Sequence, residues 1–204
     1  MNVGLFGGTF DPIHRGHLAV ARAARRRFRL DRIYFVPAHV PPHKQKRKLA
    51  PYRHRYAMVA LATAGQAAFV PSRLEEAAAP ARSREARPSY SIETVRRLKR
   101  QLARRDQLYF LIGADAFGDL ATWRQPQALC REVEFIVAAR PGFSLARAAA
   151  ARPGARLHRL SVRSPVSATQ VRAAARRGKT LARLVPPAVA AYIGKHGLYR
   201  TASA

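Results

Sequence analysis

Short apolar runs alternate with longer amphipathic stretches along this chain, and that alternation limits the folds open to it. Residues 3–6, 32–36, 68–70, 108–112, 133–137 and 157–162 read as buried strands. Helical patterns lie between and after them at 17–28, 51–64, 91–102, 167–177 and 186–196, the third capped by Ser91. Strand then helix, repeated, predicts an α/β fold: a Rossmann-like, mostly parallel sheet with helices on both faces. The 204 residues suit one domain, with a helical part at about 165–200 packed on the rest. The Ala-, Pro- and Arg-rich stretch 75–88 reads as an exposed connection. In such sheets ligands bind at the carboxyl ends of the strands, near the point where strand order reverses. The turn after the first strand is therefore the first place to look for a site.

That turn is Gly7-Gly8-Thr9-Phe10-Asp11-Pro12-Ile13-His14-Arg15-Gly16-His17-Leu18. Its glycine spacing is not that of a dinucleotide fingerprint, and no Gly-Lys-Ser/Thr of a Walker loop follows. Its parts nevertheless suit phosphate. Gly7 and Gly8 let backbone approach a ligand closely, and Thr9 offers a hydroxyl. A helix starting near Gly16 aims its unpaired amides and positive dipole end into the same space. His14 and His17, three residues apart, face one ligand from such a helix start. Taken singly, these features also fit a plain turn, a surface histidine pair or an incomplete metal set.

A second phosphate element lies near the C-terminus: Ser167-Ala168-Thr169-Gln170-Val171-Arg172. Ser167 is placed to cap a helix, Thr169 to add a hydroxyl in its first turn, and Arg172 to fork onto phosphate oxygens one turn later. Alone it reads equally as a capped helix with a surface arginine. The two elements together, in this order, carry the functional reading.

The first element resembles the His-x-Gly-His motif of the nucleotidyltransferase superfamily in its adenylyltransferase form. The second resembles that superfamily's Ser-x-Thr-x-x-Arg. Three further segments resemble bacterial nicotinate-nucleotide adenylyltransferases: Pro41-Pro42-His43-Lys44, Ser89-Tyr90-Ser91-Ile92-Glu93-Thr94, and Gly113-Ala114-Asp115 leading to Leu120-Ala121-Thr122-Trp123. The stretch 185–199 matches the C-terminal helix and tail of that family and reads as structural. The resemblance implies transfer of the adenylyl group of ATP to nicotinate mononucleotide, a step of NAD biosynthesis. It implies that His14, His17, Lys44 and Arg172 act on the phosphates. Gly7, Gly8, Thr9, Phe10, Gly16, Gly113, Asp115, Ser167 and Thr169 then hold ATP, with Asp115 near its ribose. Tyr90, Ser91 and Trp123 hold the acceptor, Trp123 by stacking on the pyridine ring. Relatives carry Asn where this chain has His39, so no role is carried to that position. Mg²⁺ is expected to arrive with ATP, held by phosphates and water, with no resident metal site. Phosphopantetheine adenylyltransferases share the first element, but usually lack counterparts of Lys44 and Arg172.

Composition bears on partners. Lys and Arg number 38 against 11 Asp and Glu, a formal net charge of +27. Such a field draws polyanions, which keeps a nucleic-acid-binding protein as the rival class. Much of the excess is Arg interleaved with Ala, as at 21–27 and 146–152, and is read as compositional. No basic stripe with interleaved aromatics accompanies it, so no specific nucleic acid is expected. The single cysteine, Cys130, excludes an internal disulfide framework. The N-terminus has neither the basic start nor the long apolar stretch of a signal peptide, and no segment has transmembrane length. A cytoplasmic enzyme is expected, and a homo-oligomer stays open.

Overall fold

The computed structural model describes residues 1–41, 49–76, 88–139, 144–151, 154–162 and 164–200. The elements run β1 (Asn2–Gly8), α1 (Arg15–Phe28), β2 (Arg32–Pro37), α2 (Tyr52–Thr63), β3 (Phe69–Pro71), α3 (Ser91–Lys99), β4 (Gln107–Gly113), α4 (Ala114–Gly118), a 3₁₀ turn (Asp119–Thr122), α5 (Pro126–Glu132), β5 (Glu134–Ala139), α6 (Leu145–Ala150), β6 (Arg156–Ser161), α7 (Ala168–Arg176) and α8 (Pro187–Lys195).

Six parallel strands pair in the order β3-β2-β1-β4-β5-β6. The chain winds outward from β1 in one direction and from β4 in the other. Strand order reverses between these two, and a cleft opens at their carboxyl ends. Parallel strands are buried on both faces, and side chains alternate between them. On one face Phe6, Ile33, Phe35, Leu111 and Ile136 meet α1, α2, α7 and α8. On the other Val3, Leu5, Phe110, Phe135 and Val137 meet α3, α4 and α5.

The expected parallel sheet covered on both faces is the observed one, and each of the six strands lies where its apolar run stands. Four local differences have physical causes. Gly7 and Gly8 do not form the turn; they complete β1 opposite Val36 and Pro37 of β2. The left-handed residue is Phe10, at φ 45°, its ring buried against Phe6, His17 and Phe35. A Cβ on Gly8 would stand 3.1 Å from that ring, so glycine there makes room for it. Ser91 is the first residue of α3 and not its cap, which is Tyr90, and α3 ends at Lys99. The short α4, α5 and α6 carry too few turns for a helical period to show against their neighbours. Glu75, at the start of the stretch read as exposed, is buried, and the His39 amide, the Ser89 hydroxyl and the Thr94 hydroxyl bring it hydrogen-bond donors.

Candidate active site

α1 begins where His14 leaves extended backbone and becomes its N-cap. The His14 ring stacks on that of His17 with centroids 3.7 Å apart. The His14 amide donates to Nδ1 of His17 over 3.2 Å. A nitrogen that accepts this bond carries no proton, so His17 keeps its proton on Nε2. Phe6 and Phe10 meet the His17 ring edge-on, with centroids at 5.9 and 5.0 Å, and hold its plane. His14 itself is buried, and its Nδ1 has no hydrogen-bond partner among the described residues. Desolvation lowers its pKa from 6.5 to about 4, so it is a neutral imidazole at pH 7.

The second element meets the first. Ser167 caps α7, its Oγ accepting from the Gln170 amide at 3.3 Å while the Gln170 side chain accepts the Ser167 amide at 2.8 Å. This reciprocal arrangement fixes the entry of the helix. Arg172 reaches back to the first element and donates to the Asp11 carbonyl at 2.5 Å and to Thr169 Oγ1 at 3.3 Å. Its guanidinium lies 3.9 Å from the buried Asp11 carboxylate. Gly16 makes the approach possible. A Cβ there would stand 2.9 Å from the Val166 carbonyl and from Ser164 Oγ.

Two adjoining cavities open in this region. A small one of about 100 Å³ is lined by Thr9, Phe10, Asp11, His17, Leu49, Ala168 and Arg172. A larger one of about 370 Å³ runs from Gly7, Gly8 and Thr9 past Gly113 to Tyr90, Ser91 and Trp123. Thr9 lines both. Trp123 packs edge-on against Phe110 and presents the remainder of its ring to the larger cavity.

Most residues expected from the sequence therefore converge. Asp115 sits on the exposed first turn of α4, outside the lining of both cavities. Ser167 and Thr169 act on α7 and Arg172 and do not line either cavity. Lys44 lies outside the described residues. His39 contributes backbone: its amide donates to Glu75 and Ser89, and its carbonyl accepts from Arg55.

Two residues carry more of the site than their sequence context signals. Arg55, on α2, is fully buried. Its guanidinium donates to the carbonyls of Thr9 (2.8 Å), Ala38 (2.7 Å), His39 (3.2 Å) and Ala50 (2.9 Å), tying together three segments that border the cleft. Glu75 lines the larger cavity and accepts from the His39 amide at 3.0 Å and Thr94 Oγ1 at 2.9 Å. Burial pushes its carboxyl pKa up, while bonds from Ser89, His39 and Thr94 oppose the shift. Arg55 is one of 38 basic residues and sits in a helical stretch beside Arg53; only its run of partners distinguishes it. Among the described residues no group of three His, Cys, Asp or Glu side chains could hold a metal ion, and no helix is long and apolar enough to cross a membrane.

Residues 5–174 match the cytidylyltransferase-like family. A Solibacter usitatus protein named as a probable nicotinate-nucleotide adenylyltransferase is 44% identical, over 98% of this chain and 100% of its own length. Its namesake from Moorella thermoacetica is 42% identical over 97% of this chain and 91% of that protein. The chain belongs to the nicotinate-nucleotide adenylyltransferase family. Among solved structures, the nicotinic acid mononucleotide adenylyltransferase of Plasmodium falciparum, complexed with NaAD, has the same fold. It superposes with a TM-score of 0.73 at 19% identity, over 97% of both chains. Both cavities lie at the switch point between β1 and β4, with the two motifs interlocked through Gly16 and Arg172.

Proposed function

We propose that the protein transfers the adenylyl group of ATP to nicotinate mononucleotide, giving nicotinate adenine dinucleotide and pyrophosphate, a step of NAD biosynthesis. The observation that carries this is the pair of cavities meeting at Thr9: one aromatic-lined and of nucleotide size, the other lined by His17 and Arg172. In the first the pyridine ring lies against Trp123, with Tyr90 and Ser91 at its edge. In the second the triphosphate of ATP meets the start of α1, where backbone amides, dipole and imidazole favour an anion.

A 5′-phosphate oxygen of the acceptor attacks the α-phosphorus of ATP. The bond from that phosphorus to the bridging oxygen breaks, and pyrophosphate leaves. The acceptor phosphate is already ionised at neutral pH, so alignment and charge stabilisation carry the rate. His17 donates from Nε2 to the α- and β-phosphates beside neutral His14, Arg172 and Lys44 neutralise the departing pyrophosphate, and Asp115 takes the ribose. Gly7, Gly8, Phe10, Gly16, Gly113, Ser167 and Thr169 shape the ATP side. Mg²⁺ enters as part of the substrate, bound to ATP. The reaction is placed in the cytoplasm.

Pyrophosphate release from Mg²⁺-ATP, measured in turn with nicotinate mononucleotide, nicotinamide mononucleotide and phosphopantetheine, tests this reading. Fastest release with nicotinate mononucleotide is expected. Preference for phosphopantetheine would overturn the acceptor assignment, and silence with all three from protein that binds ATP would overturn the reaction.

A further inference from the structure

The larger cavity has an uneven charge pattern that the reaction does not by itself explain. Two carboxylates, Glu75 and Asp119, line it, and Arg124 is its one cationic side chain among the described residues. An acceptor bearing a carboxylate on its ring would enter a space already occupied by acids. Arg124 is the group able to reverse that.

Its placement suits the task. The guanidinium carbon lies over the Tyr90 ring, 4.8 Å from the centroid. A guanidinium resting on an aromatic face is held by its plane, and its N–H groups point outward along its edges. That geometry matches a planar carboxylate, which takes two parallel N–H bonds. Among the described residues no carboxylate pairs with Arg124 and no hydrogen bond holds it; its recorded contact is the tyrosine ring. Tyr90 is the N-cap of α3 and Ser91 its first residue, so the unpaired amides of that helix open toward the same wall. Trp123 precedes Arg124 directly, which sets the cation beside the ring that stacks the pyridine.

We propose that Arg124 is the specificity-determining residue of the acceptor cavity, reading the carboxylate of nicotinate mononucleotide and separating it from the uncharged amide of nicotinamide mononucleotide. The inference rests on the acceptor assignment above and assigns its selectivity to one side chain. A site built to bond a charged group loses that bond with the amide. Arg124 is solvent-exposed at the rim, so its bond is partly screened and the discrimination is moderate.

The test titrates each nucleotide into the protein and follows the fluorescence of Trp123, the only tryptophan. This binding readout does not need turnover. Wild type, Arg124→Gln and Arg124→Lys are compared, and steady-state kcat/KM is then measured for the same three proteins. For Arg124→Gln, affinity and kcat/KM for nicotinate mononucleotide fall about tenfold, as expected for one charge-assisted bond at a screened site, while affinity for the amide moves less than twofold. Arg124→Lys recovers part of the loss, since it keeps the charge without the flat fork. Equal losses for acid and amide would overturn the proposal, since they would assign Arg124 to the shared phosphate or to holding Tyr90. Unchanged affinity for both would also overturn it. Wild-type binding of both nucleotides without turnover would sink the transferase reading alone and leave the Arg124 comparison readable. Wild type that binds neither would sink both.

Discussion

The His14 amide decides which nitrogen of His17 carries a proton, and burial decides that His14 carries no charge. The second has a consequence for stability. His14 titrates at 6.5 when unfolded and at about 4 when folded, so between those values the unfolded chain binds more protons. Stability attributable to this group is therefore complete above pH 6.5 and is lost as pH falls toward 4. The loss amounts to about 3 kcal/mol at most, from the shift at 1.36 kcal/mol per unit. Urea midpoints for wild type and His14→Asn, measured from pH 7.5 to 4, should converge at low pH. Parallel curves would show that His14 is not the titrating group. Arg55 poses a different test. Lysine keeps its charge but cannot reach four carbonyls, so Arg55→Lys should destabilise by about 2–4 kcal/mol and raise both substrate KM values. Thermal melts with steady-state kinetics check this, and a variant with wild-type melting and KM would remove Arg55 from its positioning role.

At the level of elements, the two motifs act as one because α7 lies close to the start of α1. Glycine at position 16 permits that approach, with the Val166 carbonyl where a side chain would begin. Backbone cannot swing aside as a side-chain tip can. Gly16→Ala should therefore cost about 1–3 kcal/mol in denaturant titration and lower kcat more than it raises the acceptor KM, because it moves Arg172 away from the phosphates. An unchanged kcat would show that the α7 contact is not needed for chemistry. The strands were legible because fully buried parallel strands leave unbroken apolar runs, as at Leu108–Ile112 and Phe135–Val137. The phosphate elements were legible because glycine, histidine and cap residues fall at spacings a helix start requires. Arg55, Glu75 and Arg124 were not. Their importance comes from partners distant in sequence: Thr9 and Ala38 for Arg55, Thr94 for Glu75, Tyr90 for Arg124. Ser91 was placed one residue out, since a helix end is decided by backbone geometry that a serine alone does not dictate.

Over the whole molecule the net charge of +27 is the feature most open to a rival reading. A field of that size will attract duplex DNA at low salt. On the present account the attraction is a non-specific consequence of composition. Binding followed by fluorescence anisotropy should then show no sequence preference and should weaken by about 10³-fold or more between 50 and 200 mM salt, as for several phosphate contacts. Tight sequence-selective binding at 200 mM salt would instead support a nucleic-acid role.

The central claim is direct adenylyl transfer in the cleft at the end of β1 and β4. A single-turnover experiment with α-labelled Mg²⁺-ATP, excess enzyme and nicotinate mononucleotide tests it most directly, with His17→Ala alongside. All label should pass to the dinucleotide, none should remain on the protein after denaturation, and transfer by His17→Ala should slow about 10²- to 10³-fold, as for loss of one transition-state donor. Label retained by the protein, label released as free AMP, or transfer undiminished in His17→Ala would contradict the account.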